Sequence, residues 1–136
     1  SMANYKKIYA VDFDGTLHRG VRYPLIGTPN YYLIEFLKEK RKKEDIVILW
    51  TCREGELLKD AVNWCRKYGL EFDYINENTE ENKKKFENDC RKIFAHYYID
   101  DRNMTVNDLH VQAAGLDMKI WERSCELMLK ESESCV

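Results

Sequence analysis

Four runs of consecutive apolar residues punctuate the chain, and stretches with helical spacing separate them. The first, Ile8-Tyr9-Ala10-Val11, is short and partly β-branched, the composition of a strand buried on both faces. Asp45 to Thr51 is the second, with Ile46-Val47-Ile48-Leu49-Trp50 ending in a hydroxyl. Phe72 to Asn76 is a shorter third strand, and Ile93 to Ile99 a fourth. Between them, Thr28 and Pro29 read as the N-cap and first position of a helix carrying Leu33, Ile34, Phe36 and Leu37 on one stripe. A second helix is expected from Glu54 to Tyr68, with Leu57, Leu58, Ala61, Val62, Trp64 and Cys65 facing the sheet and Gly69 closing it. Thr79 to Arg91 is charged and weakly periodic, a surface helix. The spacing further predicts a helix over Thr105–Ala114, a short strand over Met118–Trp121, and a helix or tail over 122–136. Residues 18–27 carry two glycines and a proline without helical period, and read as a loop or short hairpin.

Strands that alternate with helices are βαβ units. The expected fold is α/β: a three-layer, Rossmann-like arrangement with a mostly parallel sheet and helices on both faces. At 136 residues the chain is read as one domain over 1–136, with 1–4 as tag remnant or disordered. Ligands of such sheets bind beyond the carboxyl ends of the strands, at the point where strand order reverses. Asp12 and Asp14 follow the first strand, Thr51 closes the second, and Asp100 and Asp101 follow the fourth. Five polar positions from three strands would therefore converge on one crevice.

That convergence carries a chemical demand. Carboxylates packed together repel one another, and removing them from water costs several kcal/mol unless a positive charge lies between them. A hard divalent cation answers this, and Mg²⁺ is held by one or two carboxylates together with water and phosphate oxygens. An isolated Asp-x-Asp-Gly is also a common turn, with Gly15 supplying a positive φ and Thr16 a cap. The joint pattern at three strand ends is what separates the two readings.

Asp12-Phe13-Asp14-Gly15-Thr16-Leu17 resembles the signature of the haloacid dehalogenase-like (HAD) hydrolases, most of which are Mg²⁺-dependent phosphatases and phosphotransferases. The likeness runs over about residues 5–103 in the same order. Thr51 resembles the second motif, whose hydroxyl binds the transferring phosphoryl group. Lys92 resembles the third-motif lysine, and Asp100-Asp101 the acidic fourth motif. The resemblance implies that Asp12 is the nucleophile, forming an aspartyl-phosphate, and that Asp14 is the general acid and base. It further implies that Thr51 and Lys92 bind phosphoryl oxygens, and that Asp12, Asp14, Asp100 and Asp101 form the Mg²⁺ site. Backbone N–H groups of the Phe13–Gly15 turn would assist. Cys52 and Arg53, next to Thr51, are counted as substrate-binding positions. Cys52 as a thiol nucleophile is rejected, because no partner base is apparent.

Many HAD phosphatases carry a cap domain, yet neither the gap after Leu17 nor that between Asn76 and Lys92 can hold one. A capless phosphatase with an open crevice is the reading, covered by the 18–27 loop or by a second subunit in a homo-oligomer. Arg19, Arg22 and Tyr23 in that loop could grip an anionic or flat leaving group. Capless members act on macromolecular ends, phosphoproteins or small phosphate esters. The partner class is thus a phosphorylated small molecule or a macromolecular phosphate ester. Two other readings stand beside it: a catalytically idle phosphate-binding or regulatory module, and a polynucleotide-end phosphatase.

Composition narrows the field. A net charge of −2 gives no global field for nucleic acid, and the runs Lys38–Lys43 and Lys83–Lys85 read as solvated helix faces. No stretch approaches the ~20 apolar residues that cross a bilayer, and no secretory signal is visible. Five cysteines without a C-x-x-C pair argue against zinc and a disulfide framework, and for reduced thiols in the cytoplasm. His18 is read as a solvated loop residue, and His96 as packed within a strand.

Overall fold

A computed structural model describes residues 5–108 and 118–134. The chain divides into two compact units, 1–101 and 102–136. The first holds a four-stranded sheet of β1 (Ile8–Val11), β4 (Ile46–Leu49), β5 (Tyr74–Ile75) and β6 (Tyr97–Ile99), ordered β5-β4-β1-β6. Every pairing is parallel, with Tyr9 opposite Val47 and Tyr97. The chain moves outward from β1 to β4 and β5, then returns to place β6 on the other side of β1. The order thus reverses between β1 and β6. The α/β class with a parallel sheet is the one expected.

All of β1 is buried, as its unbroken apolar run requires. Tyr9, Val11, Val47 and Leu49 share one face of the pleat. They pack against Ile34 and Leu37 of α1 (Tyr31–Lys42) and Ala61 and Cys65 of α2 (Gly55–Lys67). On the opposite face Ile8, Ala10 and Ile48 meet Ile93 and Ala95.

Two sequence boundaries shift for physical reasons. The fourth strand is three residues, not seven, because Ile93 and Ala95 cover the sheet instead of joining it. Helix α1 starts after Asn30, whose side chain accepts from the Leu33 N–H, and not after Thr28. Thr28 and Pro29 form β3, which pairs antiparallel with β2 (His18–Arg19). The 18–27 segment accordingly holds the first strand and the connection of a short hairpin. Helix α3 (Glu80–Phe86) is capped by the Thr79 side chain, and it ends five residues earlier than expected at a left-handed Glu87.

In the second unit, Thr105 caps residues 106–108, exchanging hydrogen bonds with Asp108. Residues 109–114 of the helix expected there lie outside the described residues. Helix α4 spans Met118–Ser134, so the strand expected at Met118–Trp121 is its first turn. Its apolar residues recur at helical spacing over 17 residues, and that long-range period overrides a four-residue apolar run. Among the described residues, no helix is long and apolar enough to cross a membrane.

Candidate functional site

The carboxyl ends of β1 and β6 are tied together where the strand order reverses. The Asp12 N–H donates to the Ile99 carbonyl at 2.9 Å, and the Trp50 N–H to the Val11 carbonyl at 2.8 Å. This pairing brings one oxygen each of Asp12, Asp100 and Asp101 within 4.8 Å of one another. Thr16 holds the group together: its hydroxyl donates to Asp12 Oδ2 at 3.0 Å and accepts from the Asp101 N–H at 2.9 Å. Gly15 between them is required twice. Its φ is +81°, and a Cβ there would fall on Asp101 Oδ2.

Three clustered carboxylate oxygens are the hard donor type that a divalent cation such as Mg²⁺ takes. The electrostatics agree. Burial and then the neighbouring Asp100 push the Asp12 carboxyl from 3.8 up to about 6, against the hydrogen bonds from Thr16 and the Phe13 backbone. The charged form of Asp12 is thus disfavoured where it stands, a cost that a divalent cation would relieve. Asp12, Asp100 and Asp101 are the residues that would hold it.

Asp14, the fourth metal ligand implied by the resemblance, faces a different set of partners. Arg53 grips its carboxylate with both Nε and Nη2 at 2.8 Å, and His18 Nε2 donates to Oδ1 at 2.9 Å. The Gly27 N–H donates to His18 Nδ1, so the ring proton sits on Nε2. Burial would raise the Asp14 carboxyl, but the hydrogen bonds from Arg53 and His18 overcome it and hold it below the ordinary range.

His18 is therefore a buried partner of Asp14, at 2 % exposure, and not a solvated loop residue. It fills the space between Phe13 and Trp64, which an apolar-lined hairpin leaves for a flat ring. Arg53 is likewise buried, at 1 % exposure. Four of its N–H bonds go to Asp14 twice, Pro24 O and Leu57 O, and its guanidinium lies over Phe13 and Tyr23. It braces Asp14 and has little left for a substrate.

Thr51 stands at the end of β4. Its hydroxyl accepts from the Arg53 N–H at 3.1 Å, leaving its own proton to donate, and its backbone N–H is held by Asn76. Cys52 is exposed, and Cys52, Cys65, Cys90 and Cys125 are free thiols. Lys92 lies 5.5 Å from the Tyr98 ring centroid and lines a cavity with Asn78, Phe86 and Cys90, not the one that borders Asp100 and Asp101. His96 accepts from the Ile8 N–H through Nδ1 and pairs with the Tyr5 hydroxyl, a packing role at the opposite strand ends. Thr16 is the residue that sequence reasoning undervalued. Its place within Asp-x-Asp-Gly-Thr reads as a turn cap, although it joins two strand ends.

A sign follows for pH. The folded-state Asp12 carboxyl titrates above its unfolded value, so the native state holds the extra proton between about pH 4 and pH 6. The contribution of Asp12 to stability is thus present at low pH and lost as pH rises through that window. In chelator, the melting temperature of Asp12→Asn minus that of the wild type should grow by several degrees from pH 4 to pH 7. Mg²⁺ should shrink the difference at pH 7. A difference flat with pH would show that Asp12 carries no unrelieved charge.

The fold and site define an α/β domain with three carboxylates at the switch point of a parallel sheet. No family model matches the chain, and no curated protein does. A solved structure of a conserved protein coded by a locus from Bacteroides thetaiotaomicron matches with a TM-score of 0.63 and 38 % identity. The match covers 81 % of this chain and 90 % of that one. The chain belongs to the same family as that conserved protein.

Proposed function

We propose that the chain is a Mg²⁺-dependent phosphatase of the HAD-like kind that hydrolyses a phosphate monoester through an aspartyl-phosphate on Asp12. The observation that carries the reading is the meeting of Asp12, Asp100 and Asp101 within 4.8 Å at the switch point, joined by Thr16. A divalent cation bound there would neutralise charge on the phosphoryl oxygens. Asp12 supplies the attacking oxygen to phosphorus, and the ester oxygen departs with its electron pair. The Thr51 hydroxyl donates to a phosphoryl oxygen, helped by the N–H groups of the Phe13–Gly15 turn. Asp14 passes a proton to the departing oxygen and later takes one from the attacking water. Lys92 would need to leave the face of Tyr98 to join them. Substrates are phosphorylated small molecules or macromolecular esters, free thiols favour a cytoplasmic setting, and a second subunit would cover the open crevice.

One observation favours a second reading, an idle phosphate-binding or regulatory module. Asp14 is held ionised by two buried partners, the wrong protonation state for an acid.

Sugar phosphates, nucleotides, phosphopeptides, 3′-phosphorylated oligonucleotides and an aryl phosphate, each assayed with Mg²⁺, Ca²⁺ or chelator, decide between them. Turnover with Mg²⁺, abolished by chelator and poorly restored by Ca²⁺, is expected. Full activity in chelator refutes the metal role. Phosphate binding without any turnover supports the idle module.

A further inference from the structure

A cavity of about 280 Å³ borders the carboxylate group. Thr16, Asp100 and Asp101 line it together with Arg19, Tyr32 and Leu33. The three arginines near the nucleophile divide cleanly. Arg53 is buried and spends its donors on Asp14 and two carbonyls. Arg22 is on the exposed loop and does not line the cavity. Arg19 lines it, and among the described residues its guanidinium makes no ion pair or hydrogen bond. Tyr32 is 83 % exposed and its ring is unstacked among the described residues. Arg19, without an ion pair among the described residues, and the exposed ring of Tyr32 therefore line the same cavity as Asp100 and Asp101.

Charge decides what fits. Asp12, Asp100 and Asp101 repel an anion on their own. A divalent cation held among them would offset that repulsion, and the Arg19 fork, which pairs with none of the three, is left as the donor for a second acid group.

We propose that Arg19 is a specificity-determining residue, and that the substrate is a phosphate monoester whose alcohol part bears a second anionic group on a flat or apolar body. The anion pairs with Arg19, and the body lies along Tyr32 and Leu33. This rests on reading the carboxylate group as a Mg²⁺ and phosphoryl site.

The test uses binding of non-hydrolysable probes, so it does not depend on turnover. Phenylphosphonate, 4-phosphonobenzoate and 1,4-phenylenediphosphonate are titrated calorimetrically into the full chain with Mg²⁺. At least one doubly acidic probe should bind about tenfold more tightly than phenylphosphonate, and whichever does so identifies carboxylate or phosphate as the second group. Arg19→Ala should bring that ratio close to one, and Arg19→Lys should keep part of it. Arg19 is exposed and unpaired, so both variants should fold. A wild-type ratio near one for both acidic probes overturns the proposal and leaves the phosphoryl site standing. Equal weakening of all three probes in Arg19→Ala places Arg19 on the phosphoryl group and also overturns it. If no probe binds with Mg²⁺, the phosphoryl-site reading falls and the proposal with it.

Discussion

On the proposed covalent route, Asp12→Asn is expected to remove phosphatase turnover almost entirely, by roughly 10⁴–10⁶-fold, the scale on which loss of a nucleophile acts. An amide oxygen is a poor nucleophile towards phosphorus, and the substitution also strips a charge from the three-carboxylate group. The fold should survive. Burial and Asp100 already disfavour the Asp12 charge, so a neutral isostere relieves repulsion in the absence of metal. Initial rates on an aryl phosphate, with thermal melts as the control for folding, make the measurement. Asp14→Asn should behave differently, because attack on phosphorus is retained. Leaving-group protonation and water activation are each worth roughly 10²–10⁴-fold, so acid quenching of that variant should trap phosphate on the protein. Near-normal turnover by Asp12→Asn would refute the covalent route, whatever the metal dependence.

The second large effect lies in stability. Arg53→Met removes the buried guanidinium that braces Asp14, the Pro24 carbonyl and the Leu57 carbonyl. Breaking a buried pair from one side costs about 3–5 kcal/mol, because the partner charge stays behind unpaired. Here the lower end applies. The Asp14 side chain is 27 % exposed, so water reaches part of the orphaned carboxylate, and His18 continues to donate to it. Even that loss is a large share of the 5–15 kcal/mol typical of a domain. Urea unfolding should show it as a lower midpoint with an unchanged slope. Asp14→Asn combined with Arg53→Met should cost much less than the sum of the single changes, since the two side chains act on each other directly. A loss below about 0.5 kcal/mol in Arg53→Met, the range of ordinary surface changes, would mean that the pair contributes nothing.

Arg53 also shows where local reasoning stops. Beside Thr51 it looks like an anion-binding residue, and no feature of Thr-Cys-Arg-Glu reveals that Asp14, 39 residues earlier, takes its charge. His18 is similar. A histidine between two glycines reads as solvated until the hairpin of β2 and β3 folds it beneath Phe13 and Trp64. Lys92 matches a motif by position alone, and position does not set the direction of a long flexible side chain, here over Tyr98.

The sequence by itself determined the α/β class, the central strands β1 and β4, and the placing of Asp12, Thr51, Asp100 and Asp101 at strand ends. Each of these follows from period, run length and breaker residues within a few positions. Tertiary structure alone decided which carboxylates share a charge problem. The reversal of strand order between β1 and β6 put Asp100 and Asp101 beside Asp12, while Asp14, two residues on and past the end of the strand, turned to Arg53 and His18. The physical reason is that a backbone pattern specifies where a side chain begins. Its direction and its partners depend on pairings with residues tens of positions away, which only the folded chain brings within hydrogen-bonding distance.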